Sequence, residues 1–422
     1  MDKENQTEQF FDKLLLPRIF CTFRLALQPS KIALALGAIA IICLSGWLMD
    51  FSNTVCVVPG SQRQIRNFIV ERPAVTELDF YLSDPVKFEY NIAEIKATGA
   101  RQGVFTTLWS FARNKFNGVL NALFSFNFKA AAINIGQYAQ ALEWAFKYHT
   151  VYCIIFTVIK LSVLAVFGGA ICRMAALQYA RGEKPGMFGA LAFSTKRFTS
   201  FFAAPLVPVL LVLGVGFFIF IVGLLTNVPF IGDIAAGIFI PLILIAAAVA
   251  AALIIGGAAG FNLMFPAICY DGSDCFDAMS RAFSYVYARP WRMAFYTLIA
   301  AFYGAVCYLA VRLYVFLTLF TARLFLQAGI WTKNESGMVN KLDVLWPQPT
   351  YLSLIGEPLE SPTGFSEYTG ALLIYLFSLL AIGLLIAFLI SFYFSANTII
   401  YAALRSKVDQ TALEDVYTEE VR

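Results

Sequence analysis

The chain has 422 residues, of which 59% are hydrophobic and only 14% are charged, and its formal net charge is +4. Soluble domains carry about 25% charged residues, so this composition excludes an ordinary soluble protein and predicts a membrane protein. The small net charge gives no argument for nucleic-acid binding. Eight cysteines without a CxxC pair and a single histidine argue against a metal site of the usual ligand spacing, and no cofactor is expected.

The N-terminal 31 residues are predicted to form a cytoplasmic amphipathic segment. Residues 9–28 mix bulky apolar side chains with three basic ones, a pattern typical of a helix that lies in the membrane interface with its charges turned to water. Ser30 is a candidate N-cap for the first predicted transmembrane helix, at 32–49.

Residues 50–150 form the one long polar segment and are predicted to be a small insertion outside the membrane. The first half contains strand-like pieces such as 77–82, and the second half has apolar residues at helical spacing around 105–123 and 135–148. These two amphipathic helices either pack on the protein itself or lie on the outer leaflet. Basic residues in the middle of the first one disfavour a transmembrane helix there.

The other five predicted transmembrane helices form a bundle within residues 151–402. The clearest signal is the stretch from Phe198 to Tyr270, which contains one charged residue, Asp233. It is long enough for two spans of about 20 residues, and such spans are helical because hydrocarbon offers the backbone no hydrogen-bond partner. The five spans are predicted at 151–177, 199–226, 234–262, 293–322 and 369–400, with an outer loop at 329–367 and a tail at 403–422.

Basic residues flank the predicted spans mainly on one side, which orients the chain by the positive-inside rule. The loops that follow the second and fourth spans are basic, whereas the short 227–233 loop has no basic residue. Both termini are therefore predicted to be cytoplasmic, in the inner membrane of a bacterium. Cys56 and Cys153 would both lie on the outer side, where a disulfide between them is one alternative.

The two predicted cytoplasmic loops contain similar residues in the same order. Each has a Tyr and a Gly, then Phe-Gly-Ala or Phe-Asp-Ala, then Phe-Ser, then an Arg. This pattern suggests a duplication in which spans two and three match spans four and five, with chance as the alternative. The second loop is predicted to be an amphipathic interfacial helix, with Asp271, Ser273 and Asp274 as candidate caps of its N-terminus. Its Arg281, Arg289 and Arg292 are directed to water or lipid phosphate, and its apolar face contacts the membrane through Phe276, Met279, Phe283 and Val286.

The second loop also carries a recognisable pattern: an acidic residue and a Gly at its start, an Ala-x-x-Arg in its helix, and an Arg shortly before a Trp. The residues concerned are Asp271, Gly272, Ala278, Arg281, Arg289 and Trp291. Through this pattern the chain resembles the six-helix membrane domain attached to some bacterial glycerophosphodiester phosphodiesterases, and it also resembles the free-standing relatives of that domain. The resemblance covers about residues 150–400. The resemblance implies a six-helix membrane fold, and it extends to no phosphodiesterase catalytic domain.

Two charged residues inside predicted spans are the best candidates for a binding site. Lys160 and Arg312 are each predicted about ten residues, or roughly 15 Å, from the outer end of their helices, and Asp233 lies at the outer edge of the fourth span. Intramembrane charges often mark function. The alternatives are snorkelling with a structural ion pair, or a basic pocket that binds an anionic head group or substrate.

Common catalytic motifs such as a P-loop, GxSxG or HExxH do not occur in the sequence, so no enzyme activity is expected. One function hypothesis is a structural or accessory bundle within a membrane assembly. The other is a carrier or lipid-handling protein that binds an anionic group near Lys160 and Arg312. The almost wholly apolar first, third and sixth spans favour the first hypothesis. Expected partners are the lipid bilayer, anionic lipid, and other membrane subunits or a second copy. Gly256 and Gly260 form a GxxxG motif that either packs inside the bundle or forms a homodimer.

Overall fold

Most of the described residues of the protein are helical in a computed structural model, which confirms the all-α prediction. Among the described residues, six helices are long and apolar enough to cross a membrane, as in a multi-pass membrane protein. The structure describes residues 19–52, 54–58, 62–65, 68–71, 75–83, 88, 100–227, 231–333, 340–351, 353–356, 362 and 364–418.

The helices and strands follow in chain order. The helices are α1 Thr22–Ala26, α2 Pro29–Met49, α3 Glu77–Ser83, α4 Val104–Phe124, α5 Phe128–Tyr148, α6 Thr150–Val163, α7 Gly169–Arg181, α8 Met187–Lys196, α9 Phe198–Ala203, α10 Val207–Leu225, α11 Ile231–Asp271, α12 Cys275–Ala288, α13 Pro290–Gly329, α14 Lys341–Leu345 and α15 Phe365–Val408. The strands are β1 Val55–Val58, β2 Gln62–Ile65, β3 Phe68–Glu71, β4 Val75–Thr76 and β5 Ala100–Gln102. A π-helical turn, Leu164–Gly168, joins α6 to α7.

The chain forms two compact units, one of residues 40–163 and one of residues 1–39 with 164–422. In the unit of residues 40–163, β1 pairs antiparallel with β4 on one side and β5 on the other, and β2 pairs with β3. Side chains from β1, α3, α4, α5 and α6 form its core, with Trp144 wholly buried. Cys56 and Cys153 are both buried free thiols in this unit, so the alternative of a disulfide between them is not realised.

The strand-like piece predicted at 77–82 is instead the helix α3, and local capping explains the difference. The backbone N–H and hydroxyl of Thr76 both donate to an Asp79 carboxylate oxygen, at 3.0 and 2.8 Å, and the Asp79 N–H donates back to the Thr76 hydroxyl. This reciprocal arrangement satisfies backbone donors at a helix start. It outweighs the alternating apolar pattern.

In the other unit, α1, α2, α7, α11, α12, α13 and α15 contribute buried side chains to one core. In the described part of the N-terminal segment, Ile19, Thr22 and Ala26 are buried against this core, whereas Phe20 and Leu27 are exposed. Its placement in the membrane interface stays a prediction. The prediction for residues 9–18 lies outside the described residues. The first span begins at Pro29, so Ser30 is not its N-cap; proline suits a first helical turn because its missing N–H would have no partner there.

Proline and glycine shape the spanning helices. The span predicted at 199–226 is broken between α9 and α10, where Pro205 occupies the break and Pro208 lies in the first turn of α10. The α12 helix packs along the C-terminal half of α11, and a Cβ at Gly256 or Gly260 would lie 3.1–3.3 Å from side-chain atoms of α12. The GxxxG motif therefore packs within the bundle.

The packing of α12 corrects the prediction that its apolar face contacts the membrane. Val286 is buried, and Phe283 packs against the core, whereas Phe276 is exposed. Asp274 caps the helix, accepting the Asp277 N–H at 2.8 Å. The two loops predicted to be duplicated also share a geometry, because α7 and α11 are each followed by a glycine with positive φ, Gly182 at 72° and Gly272 at 65°.

Candidate functional site

Asp271, at the end of α11, is the centre of a polar network that joins three helices. Arg405 of α15 places Nε 2.9 Å from its Oδ1, and Arg281 of α12 places Nη1 3.3 Å from its Oδ2. The Tyr401 hydroxyl also donates to this carboxylate. Because the Asp271 side chain is only 5% exposed, these partners replace the water that an ionised carboxylate otherwise needs.

Two further pairs, Arg281 with Asp277 and Tyr285 with Asp409, extend the network toward solvent. Arg281 forms an i,i+4 ion pair with Asp277, Nε to Oδ2 at 3.0 Å. Burial alone would lower the pKa of Arg281, but the carboxylates of Asp271 and Asp277 raise it above its usual value. Tyr285 donates a hydrogen bond to Asp409. The pKa of the Tyr285 hydroxyl is raised, mainly by burial and to a smaller extent by the Asp409 carboxylate. Both side chains therefore keep their ordinary charge near neutral pH.

Residues 413–417, which we term the tail segment, are fastened to the same end of the bundle by arginines. Arg173 of α7 donates to the carbonyl oxygens of Cys269 and Tyr417, both at 2.8 Å. Arg181 donates to the carbonyls of Glu414 and Val416 at 3.2 and 3.0 Å. The C-terminal ends of three spanning helices, α7, α11 and α15, are thus held together.

Tyrosines and a buried valine complete the docking of the tail segment. Tyr270 donates its hydroxyl to the Leu413 carbonyl at 2.8 Å, and the Tyr417 N–H donates to the Tyr270 carbonyl at 2.8 Å. Arg405 donates to the Asp415 carbonyl at 2.8 Å. Val416 is 3% exposed. The tail segment therefore contributes to the core as well as to the polar network.

Gly272 allows the tail segment to approach closely. Its φ of +65° favours glycine, and a Cβ here would lie 2.5 Å from the Tyr417 ring. Arg197 donates to the Gly272 carbonyl, and its guanidinium carbon lies 4.8 Å from the centre of the Tyr417 ring, within cation–π range. The start of the second loop is thus part of the network.

The structure leaves Arg289 and Arg292 apart from this network. Arg289 is exposed, and its backbone forms the N-cap of α13. Arg292 is half-buried, and Trp291 between them is 87% exposed. Of the predicted loop residues, Asp271, Gly272 and Arg281 are brought together.

The predicted intramembrane charges have different surroundings. Lys160, in the unit of residues 40–163, is exposed on α6. Arg312, in the other unit, is 6% exposed, with its guanidinium carbon 5.1 Å from the Tyr351 ring centre and 6.0 Å from that of Tyr308. The α13 helix continues to Gly329, so Arg312 lies 17 residues from its end rather than about ten. Asp233 lies in α11, and its side chain is outside the described residues.

Sequence reasoning missed the tail segment, the arginines that hold it, and Lys31. The ammonium of Lys31 is fully buried and donates to the Leu25 carbonyl at 3.2 Å and to the Gln178 amide oxygen at 3.0 Å. In the sequence these basic residues have the pattern of a cytoplasmic flank and nothing more. The signal that could have found Arg197 is the similarity between the two loops, in which an Arg recurs at the end of each.

The network is suited to holding helices together, because both carboxylate oxygens of Asp271 and the guanidinium groups of Arg173, Arg181 and Arg405 already contact protein atoms.

Comparisons with protein families, with curated proteins and with solved structures find no match to this chain. The resemblance to the membrane domain of glycerophosphodiester phosphodiesterases therefore stays a prediction.

Proposed function

We propose that this protein is a structural or accessory subunit of a membrane assembly, without catalytic machinery. We also propose that it lies in the inner membrane of a bacterium with both termini in the cytoplasm. The observation that carries the proposal is the helical hairpin α10–α11. None of the residues in the most apolar 18-residue stretch of α11 is buried, and only 17% of the corresponding stretch of α10 is.

The surface of this hairpin has the composition that membrane helices use to pack together. Gly214 and Gly216 have open space where a Cβ would be, and Ala247 and Ala248 on α11 are exposed. Small residues let helix backbones approach closely, which favours association where lipid offers no hydrophobic driving force. These exposed small residues therefore support packing against another membrane helix.

An apolar groove between the two helices supports the same proposal. It has a volume of about 450 Å³ and is lined by residues of α10 and α11, among them Pro208, Leu213 and Gly257. Several side chains of a neighbouring helix would fit into this volume and gain the dispersion contacts that an open groove lacks.

The test is native mass spectrometry of the protein released in a mild detergent. We expect the wild type to retain a protein partner or a second copy, and Gly216→Leu with Ala248→Leu to lose it. The matched controls are Ala301→Leu and Ala310→Leu on exposed positions of α13, which should retain it. A wild type that carries lipid but no second polypeptide would contradict the proposal.

The second candidate is a carrier or lipid-handling protein that binds an anionic group, and the exposure of Lys160 favours it. An exposed ammonium about 15 Å along an apolar helix needs a counter-ion, and a lipid phosphate would supply one. Native mass spectra should then show an anionic lipid that Lys160→Ala removes. If Arg312→Ala weakened binding independently, so that the double variant were additive, a site shared by both residues would be excluded.

A further inference from the structure

The helices α4 and α5 form a hairpin whose tip has an unusual backbone. Ser125 ends α4, and the N–H groups of Phe126 and Asn127 donate to the carbonyls of Leu123 and Ala122 at 3.1 and 2.8 Å. This is the Schellman arrangement, in which the residue with positive φ is usually glycine. Here that residue is Phe126, with φ of 52°, and its side chain is 71% exposed.

The positive φ at this position is unfavourable for phenylalanine, and the side chain is not buried within the unit, so burial there does not offset that cost. A bulky residue with positive φ is a true outlier, and such strain often occurs where the side chain has a function. Phe124 and Phe128, on either side of the turn, are exposed as well. The tip therefore presents three phenylalanines outward.

The exposed phenylalanines continue into an apolar stripe along α5. At 100° per residue, its members lie within about 80° of one another on the helix, and all of them are exposed. The opposite side of the helix packs into the core through Ala141 and Trp144. We define the apolar stripe as Phe128, Ile135, Tyr138, Leu142 and Phe146.

The charges of the hairpin lie beside this stripe rather than within it. Lys129 and Lys147 are exposed and lie roughly 130–140° around the helix from the middle of the stripe. Residues 104–148 contain four basic residues and one acidic residue, a net charge of +3. Exposed apolar residues flanked by lysines are typical of a helix that lies in the interface of an anionic membrane.

Both ends of the hairpin are attached at the ends of spanning helices. Asp50, just after α2, accepts the N–H groups of Phe105 and Thr106 at 2.8 and 2.9 Å and so caps the start of α4. At the other end His149, with φ of −127° and ψ of 42°, interrupts the helix between α5 and α6, so the chain changes direction there. The hairpin thus starts beside the end of α2 and ends at the start of α6.

From these features we infer that the apolar stripe and the tip phenylalanines insert into an anionic lipid leaflet, the one at which α2 ends and α6 begins. The hairpin then lies along the membrane surface, with Lys129 and Lys147 at the level of the lipid phosphates. The exposed face of Phe126 is buried by acyl chains, which offsets the strain of its backbone. This surface shares no residue with α10–α11.

Nitroxide depth measurements on the full chain in lipid vesicles test the inference. Cys21, Cys43 and Cys275, which are not buried, are first replaced by Ser, and Ile135→Cys, Leu142→Cys and the control Gln140→Cys are then labelled. We expect the ratio of oxygen to nickel-chelate accessibility to be several-fold higher at 135 and 142 than at 140. Omitting phosphatidylglycerol from the vesicles should lower that ratio, and an unchanged ratio would overturn the preference for anionic lipid.

Two other results would overturn the insertion itself. Equal nickel-chelate accessibility at all three positions would mean that the stripe faces water, and exclusion of both reagents would mean that protein covers it. Phe126→Asn provides a further test, since asparagine tolerates positive φ. We expect this variant to keep or raise the Tm while the label at 135 moves toward the aqueous phase; a lower Tm would show that Phe126 stabilises the fold instead.

Discussion

At the scale of single residues, the network around Asp271 depends on each of the side chains that contact its carboxylate. The Asp271 carboxylate is nearly buried between two guanidinium groups and a tyrosine hydroxyl. Removing one member of such a group leaves a buried charge without its partner, which costs more than the interaction contributed.

Asp271→Ala should therefore lower the free energy of unfolding by about 3–5 kcal/mol. The matched control is Asp277→Ala, because Asp277 contacts the same Arg281 but is 47% exposed; exposed i,i+4 pairs contribute about 0.3–0.5 kcal/mol. Reaction of the buried cysteine thiols with a fluorogenic maleimide during heating would report unfolding of both variants. Equal effects of the two substitutions would contradict the central place given to Asp271.

Gly272→Ala tests the contact between the second loop and the tail segment. A non-glycine residue in the left-handed region costs about 1–2 kcal/mol, and Gly182→Ala should cost no more, because open space surrounds its Cβ position. Gly272→Ala should cost more than this, since its Cβ would meet the Tyr417 ring at 2.5 Å. Combining it with Tyr417→Ala should remove the excess, and a double-mutant cycle on thermal unfolding measures it.

At the scale of helices, contacts at glycine decide how closely neighbouring spans approach. Gly304 of α13 faces Phe392 of α15, where an added Cβ would lie 2.7 Å from the ring, whereas Gly214 of α10 has open space. Their positions in the sequence do not distinguish these two glycines, since both lie inside long apolar helices.

Gly304→Ala should destabilise the bundle by about 1–3 kcal/mol, because the phenylalanine must leave its rotamer or the helices must separate. Gly214→Ala should be neutral or stabilising by up to about 1 kcal/mol, the gain in helix propensity at an open site. Thermal unfolding of both variants in one detergent provides the comparison. A similar loss in both would show that α10 is covered within the bundle.

The sequence predicts the helices better than it predicts their contacts. Long apolar runs make the six spans evident, and Asp274 could be recognised as a cap, because both signals are local. The pairing of Asp271 with Arg405 joins residues 134 positions apart and leaves no local trace. Likewise, the buried ammonium of Lys31 is stabilised by Gln178 and the Leu25 carbonyl. In the sequence Lys31 resembles an ordinary basic residue that flanks a span.

At the scale of the whole molecule, the tail segment is the part of the chain that several helices share. It accepts hydrogen bonds from Arg173, Arg181, Arg405 and Tyr270. Each of these residues belongs to a helix that ends at the same side of the bundle. Their separate contributions are therefore coupled through a short stretch of backbone.

Truncation after residue 412 should lower the Tm markedly and make the loops after α7 and α11 more sensitive to protease. Truncation after residue 417 is the matched control, because it keeps every contact of the tail segment described above, and it should leave the Tm unchanged. Limited proteolysis followed by mass spectrometry would locate the cuts. If both truncated proteins were equally stable, the tail segment would not contribute to the stability of the bundle.

The docking of the tail segment also has a consequence for the order of synthesis. Residues 413–417 leave the ribosome only after all six membrane-spanning helices have been made. Until then Arg181 lacks the carbonyls of Glu414 and Val416, and Arg173 keeps the Cys269 carbonyl but lacks that of Tyr417. The pocket for Val416 is also empty. A chain interrupted after the last span thus has an open apolar pocket and fewer hydrogen bonds at this end of the bundle, so helices made earlier complete their packing only once residues 413–417 have been synthesised.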